Sequence, residues 1–165
     1  GLVAVIIRPA TGGDSAAISA IILPVIRAGE TYALDRAMSE SEALAYWFRQ
    51  DRHTFVAEDE DGTVVGTYYL RRNQAGGGGH VCNCGYMTAT SASGRGIARA
   101  MCLHSQDQAR TLGFRAMQFN FVVSTNERAV KLWQSLGFGE VGRLPDAFDH
   151  PRLGFVDALI LFKAL

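Results

Sequence analysis

The alternation of hydrophobic periods along this chain predicts an α/β fold, a mixed central β-sheet of about seven strands flanked by about four helices. Three observations carry that prediction. Short runs rich in Val, Ile, Phe and Tyr alternate with longer segments whose apolar residues recur at helical spacing. Turn chemistry, Asp-Gly or Gly-x-Gly, falls between them. No repeat, linker or charge run divides the chain, so residues 1–165 read as a single domain, long enough for a substantial core.

Taken in order, Val3–Arg8 reads as an apolar first strand. Asp14 stands where it would cap a helix reaching about Arg27, with Ile18, Ile21, Ile22, Val25 and Ile26 on the apolar face. After a loop through Thr31-Tyr32, Ser39 or Ser41 starts a second helix that ends near Gln50, its apolar face made by Leu44, Trp47 and Phe48. Strands at Phe55–Ala57 and Val64–Leu70 flank Asp59-Glu60-Asp61-Gly62, a hairpin signal. Asn73–Gly79 holds four consecutive glycines but is followed by a strand, so it reads as a flexible loop and not a phosphate cradle. His80–Thr88 is the central strand, Ile97–Leu112 a long helix, Ala116–Val123 the next strand and Thr125–Leu136 the last helix. Phe138–Leu144 and Gly154–Leu161 close the sheet.

Composition narrows the function. Lys plus Arg equals Asp plus Glu at 16 each, so no net field favours nucleic acid or an acidic membrane. The Leu2–Ile7 run is too short to span a bilayer and lacks a basic leader, and a cytoplasmic protein is expected. Cys82, Cys84 and Cys102 are odd in number, which fits a reducing compartment. Cys82 and Cys84 share one strand face, but the four histidines are scattered, so no metal site is expected and buried small residues are the better reading.

The chemistry concentrates at Ser93-Gly94-Arg95-Gly96-Ile97-Ala98, between a strand and a helix. Glycines without Cβ can turn backbone N–H groups toward an anion. The helix behind adds unpaired N–H groups and the positive end of its dipole. Arg95 and Arg99 bracket the turn and suit a pyrophosphate. Asn83 and Asn120 interrupt the two strands on either side of that helix, and an Asn in apolar surroundings needs hydrogen bonds.

This turn resembles the cofactor motif of the GNAT superfamily of acetyl-CoA-dependent N-acetyltransferases, Gln/Arg-x-x-Gly-x-Gly/Ala, with Ser93 where Gln or Arg is usual. Asn126-x-x-Ala129-x-x-Leu132-Trp133-x-x-x-Gly137-Phe138-x-x-x-Gly142 is similar to the second cofactor-side motif of that family, and Ile7-Arg8-Pro9-Ala10-Thr11-x-x-Asp14 to its first strand and turn. The resemblance implies a GNAT-like acyltransferase fold in which the strands flanking the cofactor helix splay apart. It implies acetyl-CoA as co-substrate, held by Met87, Thr88, Ser93, Gly94, Arg95, Gly96, Ile97, Ala98, Arg99, Asn126 and Trp133. Trp133 stands where the family often has a tyrosine that protonates the CoA thiolate. An indole N–H donates a hydrogen bond but transfers no proton, which leaves water, or polarisation by Asn126.

A closer resemblance is to the fungal N-acetyltransferases of L-azetidine-2-carboxylate and related proline analogues. It rests on Gly66-Thr67-Tyr68-Tyr69, Cys82-Asn83-Cys84-Gly85-Tyr86, Phe119-Asn120-Phe121-Val122-Val123-Ser124-Thr125-Asn126 and Val156-Asp157-Ala158, with Thr31-Tyr32 and Tyr46-Trp47-Phe48 in the N-terminal half. The glycine-rich loop and shorter N-terminus depart from those proteins. The resemblance implies an acceptor pocket of Tyr32, Asn83, Tyr86 and Asn120, with Asn120 and Asn126 in catalysis. The expected reaction is direct attack of a neutral amine, the oxyanion held by backbone N–H groups near Tyr86–Thr88. A nucleophilic cysteine lacks an identified base, and Glu30 and His80 are secondary candidates for the amine proton. A small-molecule amine acceptor is expected, and a homodimer is common in the superfamily. A peptide N-acetyltransferase or a catalytically silent acyl-CoA-binding module are the other readings.

Overall fold

The computed structural model describes residues 4–165. Its strands are β1 (Ile6–Pro9), β2 (Arg52–Glu58), β3 (Val64–Arg72), β4 (Val81–Thr88), β5 (Ala116–Val123), β6 (Gly139–His150) and β7 (Gly154–Ala164). Together they form one sheet in the order β1-β2-β3-β4-β5-β7-β6. Of the pairs, β4 and β5 are parallel and the rest antiparallel. Parallel neighbours need a long crossover, which is α3 (Ile97–Thr111). With α1 (Ser15–Ala28), α2 (Glu40–Trp47) and α4 (Glu127–Ser135), this is the mixed α/β architecture that the sequence predicts.

The sheet divides two cores. On one face Ile18, Ile22 and Ile26 of α1 and Trp47 of α2 pack with Val56, Tyr69 and Met87. On the other, Met101 and Ala109 of α3 and Trp133 of α4 pack with Leu70, Met117 and Leu161. Each fully buried side chain of this size contributes about 1.5–3 kcal/mol of transfer free energy.

Several boundaries differ from the sequence expectation for identifiable reasons. The first strand begins at Ile6 and includes Pro9, while Val3 lies outside the described residues. Asp14 does not cap α1 with its side chain. Its carboxylate instead accepts two bonds from Arg8, each 2.8 Å, and one from the Thr11 N–H at 2.8 Å. Those bonds hold it well below the usual carboxylate range, Arg8 being the largest influence. Of the two serines, Ser39 starts α2 through a capping box, with its Oγ on the Glu42 N–H and its own N–H on the Glu42 carboxylate, both 3.0 Å.

Helix α2 stops at Trp47 rather than near Gln50, because the Trp47 carbonyl accepts from Thr54 Oγ1 at 2.9 Å and Phe48 leaves helical geometry. Strand β2 accordingly begins at Arg52, ahead of the expected Phe55. Strand β6 runs on past Leu144 to His150. Pro145 masks that continuation in the sequence, yet an edge strand tolerates proline, and the register is irregular between Leu144 and Phe148.

Two features position the site. The parallel ladder between β4 and β5 is short, pairing Val81 with Ala116 and Cys82 with Met117. Beyond it, β5 carries an irregularity between Phe119 and Val122 that takes Asn120 and Phe121 out of register with β7. A bulge bends its strand, and the two strands part from Asn83 onward.

Candidate active site

The parting of β4 and β5 opens a cavity of about 730 Å³, within the range of cofactor and ligand sites. Its walls come from the α1–α2 loop, the ends of β3 and β4, the turn before α3, the bulge of β5 and the first turns of α4.

At one end lies the glycine turn. Gly94 and Gly96 both sit at φ 80, in the left-handed region that disfavours residues with a Cβ. A Cβ on Gly94 would lie 2.8 Å from Nη2 of Arg128, so a side chain there would displace the guanidinium from the turn. The Ala100 N–H finds its helical acceptor in the Gly96 carbonyl, at 3.1 Å. The N–H groups of Ile97, Ala98 and Arg99 therefore have no acceptor one turn earlier and remain for an anion. Arg99 and Arg128 line this end, and Arg128 reaches Ser93 Oγ at 3.3 Å. Arg95 is the exception among the expected anion-binding residues: it is not a wall residue, and its guanidinium turns to Asp59 at 3.9 Å. Its position between the two left-handed glycines points it toward the β2–β3 hairpin.

In the middle of the cavity, β4 presents backbone. Even-numbered residues aim toward β5: the His80 carbonyl accepts from the Arg115 N–H at 2.8 Å, and the N–H and carbonyl of Tyr86 both meet the Tyr32 hydroxyl at 2.8 Å. Odd-numbered residues aim toward β3, where the Val81 carbonyl takes the Asn73 N–H at 2.9 Å and the Ala89 N–H reaches Val65 at 2.8 Å. By this alternation the Met87 N–H is turned to Thr67 and the Thr88 N–H faces the gap. Of the three candidate oxyanion donors, Tyr86 is thus already paired and Met87 points away, leaving Thr88.

Tyr86 contributes its ring, while its hydroxyl points into α3, 2.6 Å from Ser105 Oγ. That ring lies 5.1 Å from the Trp133 ring, which in turn lies 5.2 Å from Phe119. Trp133 both packs in the core and forms part of the wall. Burial pushes the Tyr32 and Tyr86 phenols and the Cys84 thiol well above their ordinary values, so none is ionised near neutrality. The three cysteines are buried and unbridged.

The asparagines occupy the fork. Asn83 donates through Nδ2 to the Gln118 carbonyl at 2.9 Å, a side-chain rung where the backbone ladder ends. Asn120, in the bulge, donates to Asn73 Oδ1 at 2.6 Å and accepts from Gln118 Nε2 at 3.1 Å. Asn126 caps α4, its Oδ1 on the Ala129 N–H at 3.5 Å, and this fixes the amide so that Nδ2 is its free end. All three line the cavity, as do Tyr32, Tyr86, Met87, Thr88, Ser93, Gly94, Gly96, Ile97, Ala98, Arg99 and Trp133. Glu30 and His80 do not; Glu30 is ion-paired with Arg152.

Sequence reasoning missed Arg71, Arg128, Tyr46 and Tyr69, which also line the walls. Arg128 carried a signal, since a cation in the first turn of a helix opposes the dipole and needs another reason to be there.

Residues 25–138 match the family model described as Acetyltransferase (GNAT) family. The chain is 30% identical over 154 residues to the N-acetyltransferase aca1 of Schizosaccharomyces pombe, covering 82% of this chain and 72% of that protein. It superposes with a TM-score of 0.94 and 42% identity on a GCN5-related N-acetyltransferase from Kribbella flavida, over 98% of each chain. A phosphinothricin acetyltransferase from Sinorhizobium meliloti, solved in complex with AcCoA, shares the fold at a TM-score of 0.84 and 21% identity, over 98% of this chain and 88% of that one. The glycine turn, the free helix N-terminus behind it and the fork in the sheet thus have their explanation: the chain belongs to the GNAT family and is an acetyl-CoA-dependent N-acetyltransferase.

Proposed function

We propose that this enzyme acetylates the amine of a small amino or imino acid, such as a proline analogue or a substrate of the phosphinothricin or methionine-sulfone type. The observation that carries the reading is the lining of the cavity. It holds no Asp, Glu or His, and of its three arginines Arg71 lies apart from the glycine turn, so the acceptor end suits an anionic partner and repels the cationic tails of lysine peptides.

In this reading the glycine turn, the N–H groups of Ile97 to Arg99 and the side chains of Arg99 and Arg128 bind the pyrophosphate of acetyl-CoA. Met87, Thr88, Ser93, Ala98 and Trp133 flank the rest of the co-substrate. The acceptor lies among Tyr32, Asn83, Tyr86 and Asn120. The amine attacks the thioester carbonyl, a C–N bond forms as the C–S bond breaks, and CoA leaves as the thiolate. The Thr88 N–H stabilises the oxyanion. The free Nδ2 of Asn126 donates to the departing sulfur, a role open to an amide where Trp133 has no proton to give. With no carboxylate or imidazole in the lining, the amine proton leaves through water held by Asn83 or Asn120. A thiol pKa of about 8.5 makes the thiolate a tolerable leaving group without a dedicated acid. A cytoplasmic setting agrees with three unbridged thiols, and a homodimer, common in the superfamily, is part of the same proposal.

Acetyl-CoA-dependent CoA release tests the reading. The acceptors are L-azetidine-2-carboxylate, L-methionine sulfone, L-phosphinothricin and a lysine peptide, with a no-acceptor control. Turnover with one of the free amino or imino acids supports it. Turnover with the peptide alone replaces it with a peptide acetyltransferase, and acetyl-CoA binding without turnover on any amine with a silent acyl-CoA-binding module.

A further inference from the structure

We infer that Arg71 selects acceptors bearing a free carboxylate, so that amino and imino acid anions are acetylated and their amides are not. The inference rests on the proposal that the cavity receives a small amine, and it names the group that discriminates among such amines.

Arg71 is charged, partly buried and without a partner of its own. Its Nε is buried and makes no hydrogen bond. The one bond its side chain makes is from Nη1 to the Arg72 carbonyl at 3.5 Å, the limit of a hydrogen bond. Among the described residues it forms no ion pair. Directly opposite it on β2 stands a second cation, Arg52, and like charges facing each other across strands are unfavourable.

The two arginines are treated differently by their surroundings. Arg52 is provided for: Asp51 lies 3.0 Å away, the Tyr46 carbonyl accepts at 3.0 Å, and its guanidinium sits over the rings of Tyr46 and Tyr69 at 4.8 and 4.2 Å. Asp51, the acid close enough to interact with Arg71, is thereby engaged, and it is not part of the cavity wall. Arg71 is part of that wall. The unmatched Nε leaves the guanidinium short of partners, and an anion in the cavity, paired with its accessible end, would balance the charge and relieve the repulsion from Arg52.

Position excludes the phosphates as that anion. Arg71 is in register with Asn83, while the glycine turn follows Thr88, about 16 Å farther along β4. Arg99 and Arg128 serve that far end. At the near end, Asn83 has given its Nδ2 to Gln118, which leaves its Oδ1 as an acceptor beside Arg71. A guanidinium next to an amide oxygen matches a carboxylate next to an amine, the arrangement of an α-amino or α-imino acid.

The test compares kcat and KM for L-azetidine-2-carboxylate and L-methionine sulfone with those of their carboxamides, in wild type, Arg71→Gln and Arg71→Lys. The wild type is expected to prefer each acid by about 10- to 100-fold in kcat/KM, mostly through KM. Arg71→Gln should abolish that preference while leaving KM for acetyl-CoA unchanged, and Arg71→Lys should restore part of it. Equal use of acid and carboxamide by the wild type overturns the inference and leaves the small-amine reading standing, even if the variants fail to fold. A loss in Arg71→Gln that is equal for acid and amide also overturns it. If the wild type uses no free amino or imino acid, L-phosphinothricin included, but acetylates another amine, the small amino acid reading falls and the inference with it.

Discussion

The hydroxyl of Tyr32 lies 2.8 Å from both the N–H and the carbonyl of Tyr86, 54 residues farther along the chain. One side chain of the α1–α2 loop thus takes the place of a missing β-strand at the point where β4 loses contact with β5. It also decides which gap-facing backbone donor stays open, because the Tyr86 N–H is satisfied and the Thr88 N–H is not.

Tyr32→Phe removes that tie and leaves two backbone groups to be solvated in the cavity. The expected loss of stability is about 1 kcal/mol, since water reaches them there. The expected loss in kcat/KM for the acceptor is about tenfold or more, because the loop that walls the acceptor side is released. Denaturant unfolding and steady-state kinetics check the two separately; a stability loss with unchanged kinetics would show that the tie is structural alone.

Gly94→Ala places a Cβ against Arg128 and forces a residue with a side chain to φ 80. The conformational cost is about 1–2 kcal/mol, and the phosphate-facing backbone shifts with it. The expected result is a rise of about tenfold or more in KM for acetyl-CoA with a much smaller change in kcat, read from an acetyl-CoA titration at saturating acceptor.

Asn120→Ala breaks the bonds to Asn73 and Gln118 at the fork. The bonds are partly exposed, so the fold is expected to lose no more than about 1 kcal/mol. Turnover is expected to fall by about tenfold or more at saturating acetyl-CoA. Unchanged kinetics would remove Asn120 from the catalytic residues.

The Asp14 carboxylate predicts an acid-sensitive component of stability. Its pKa in the folded protein is depressed, chiefly by Arg8, below its value in the unfolded chain. The unfolded state therefore binds the proton more readily. The contribution is complete above about pH 5 and is lost as the pH falls through the carboxylate range toward the folded value. Asp14→Asn should lower stability at pH 7 and flatten the decline between neutral and acid pH, measured by denaturant unfolding across that interval.

The order of elements, the glycine turn and the Asn126 cap are legible in the sequence because each depends on neighbours within a turn or two. Periodicity reports which face a residue presents. Gly94 and Gly96 report a backbone that has to take positive φ, and Asn126 followed by Ala129 reports a helix start. Boundaries set by distant partners are not legible in this way. Trp47 ends α2 because Thr54 takes its carbonyl, and Asp14 stands at the N-cap position of α1 without capping it because Arg8, on a strand, takes the carboxylate.

The site divides along the same line. Which residue types surround the co-substrate follows from local motif, so Ser93 to Arg99 could be named in advance. Which of them faces the cavity depends on contacts between segments far apart in the chain: Asp59 draws Arg95 away, and Arg128 arrives from α4 to face Gly94. The Tyr86 N–H is taken by Tyr32, and Arg71 stands opposite Arg52 with no acid to itself. A sequence states each residue's capacity for hydrogen bonding and charge. Whether that capacity is spent or left open depends on long-range register, and an enzyme's chemistry is done by the groups left open.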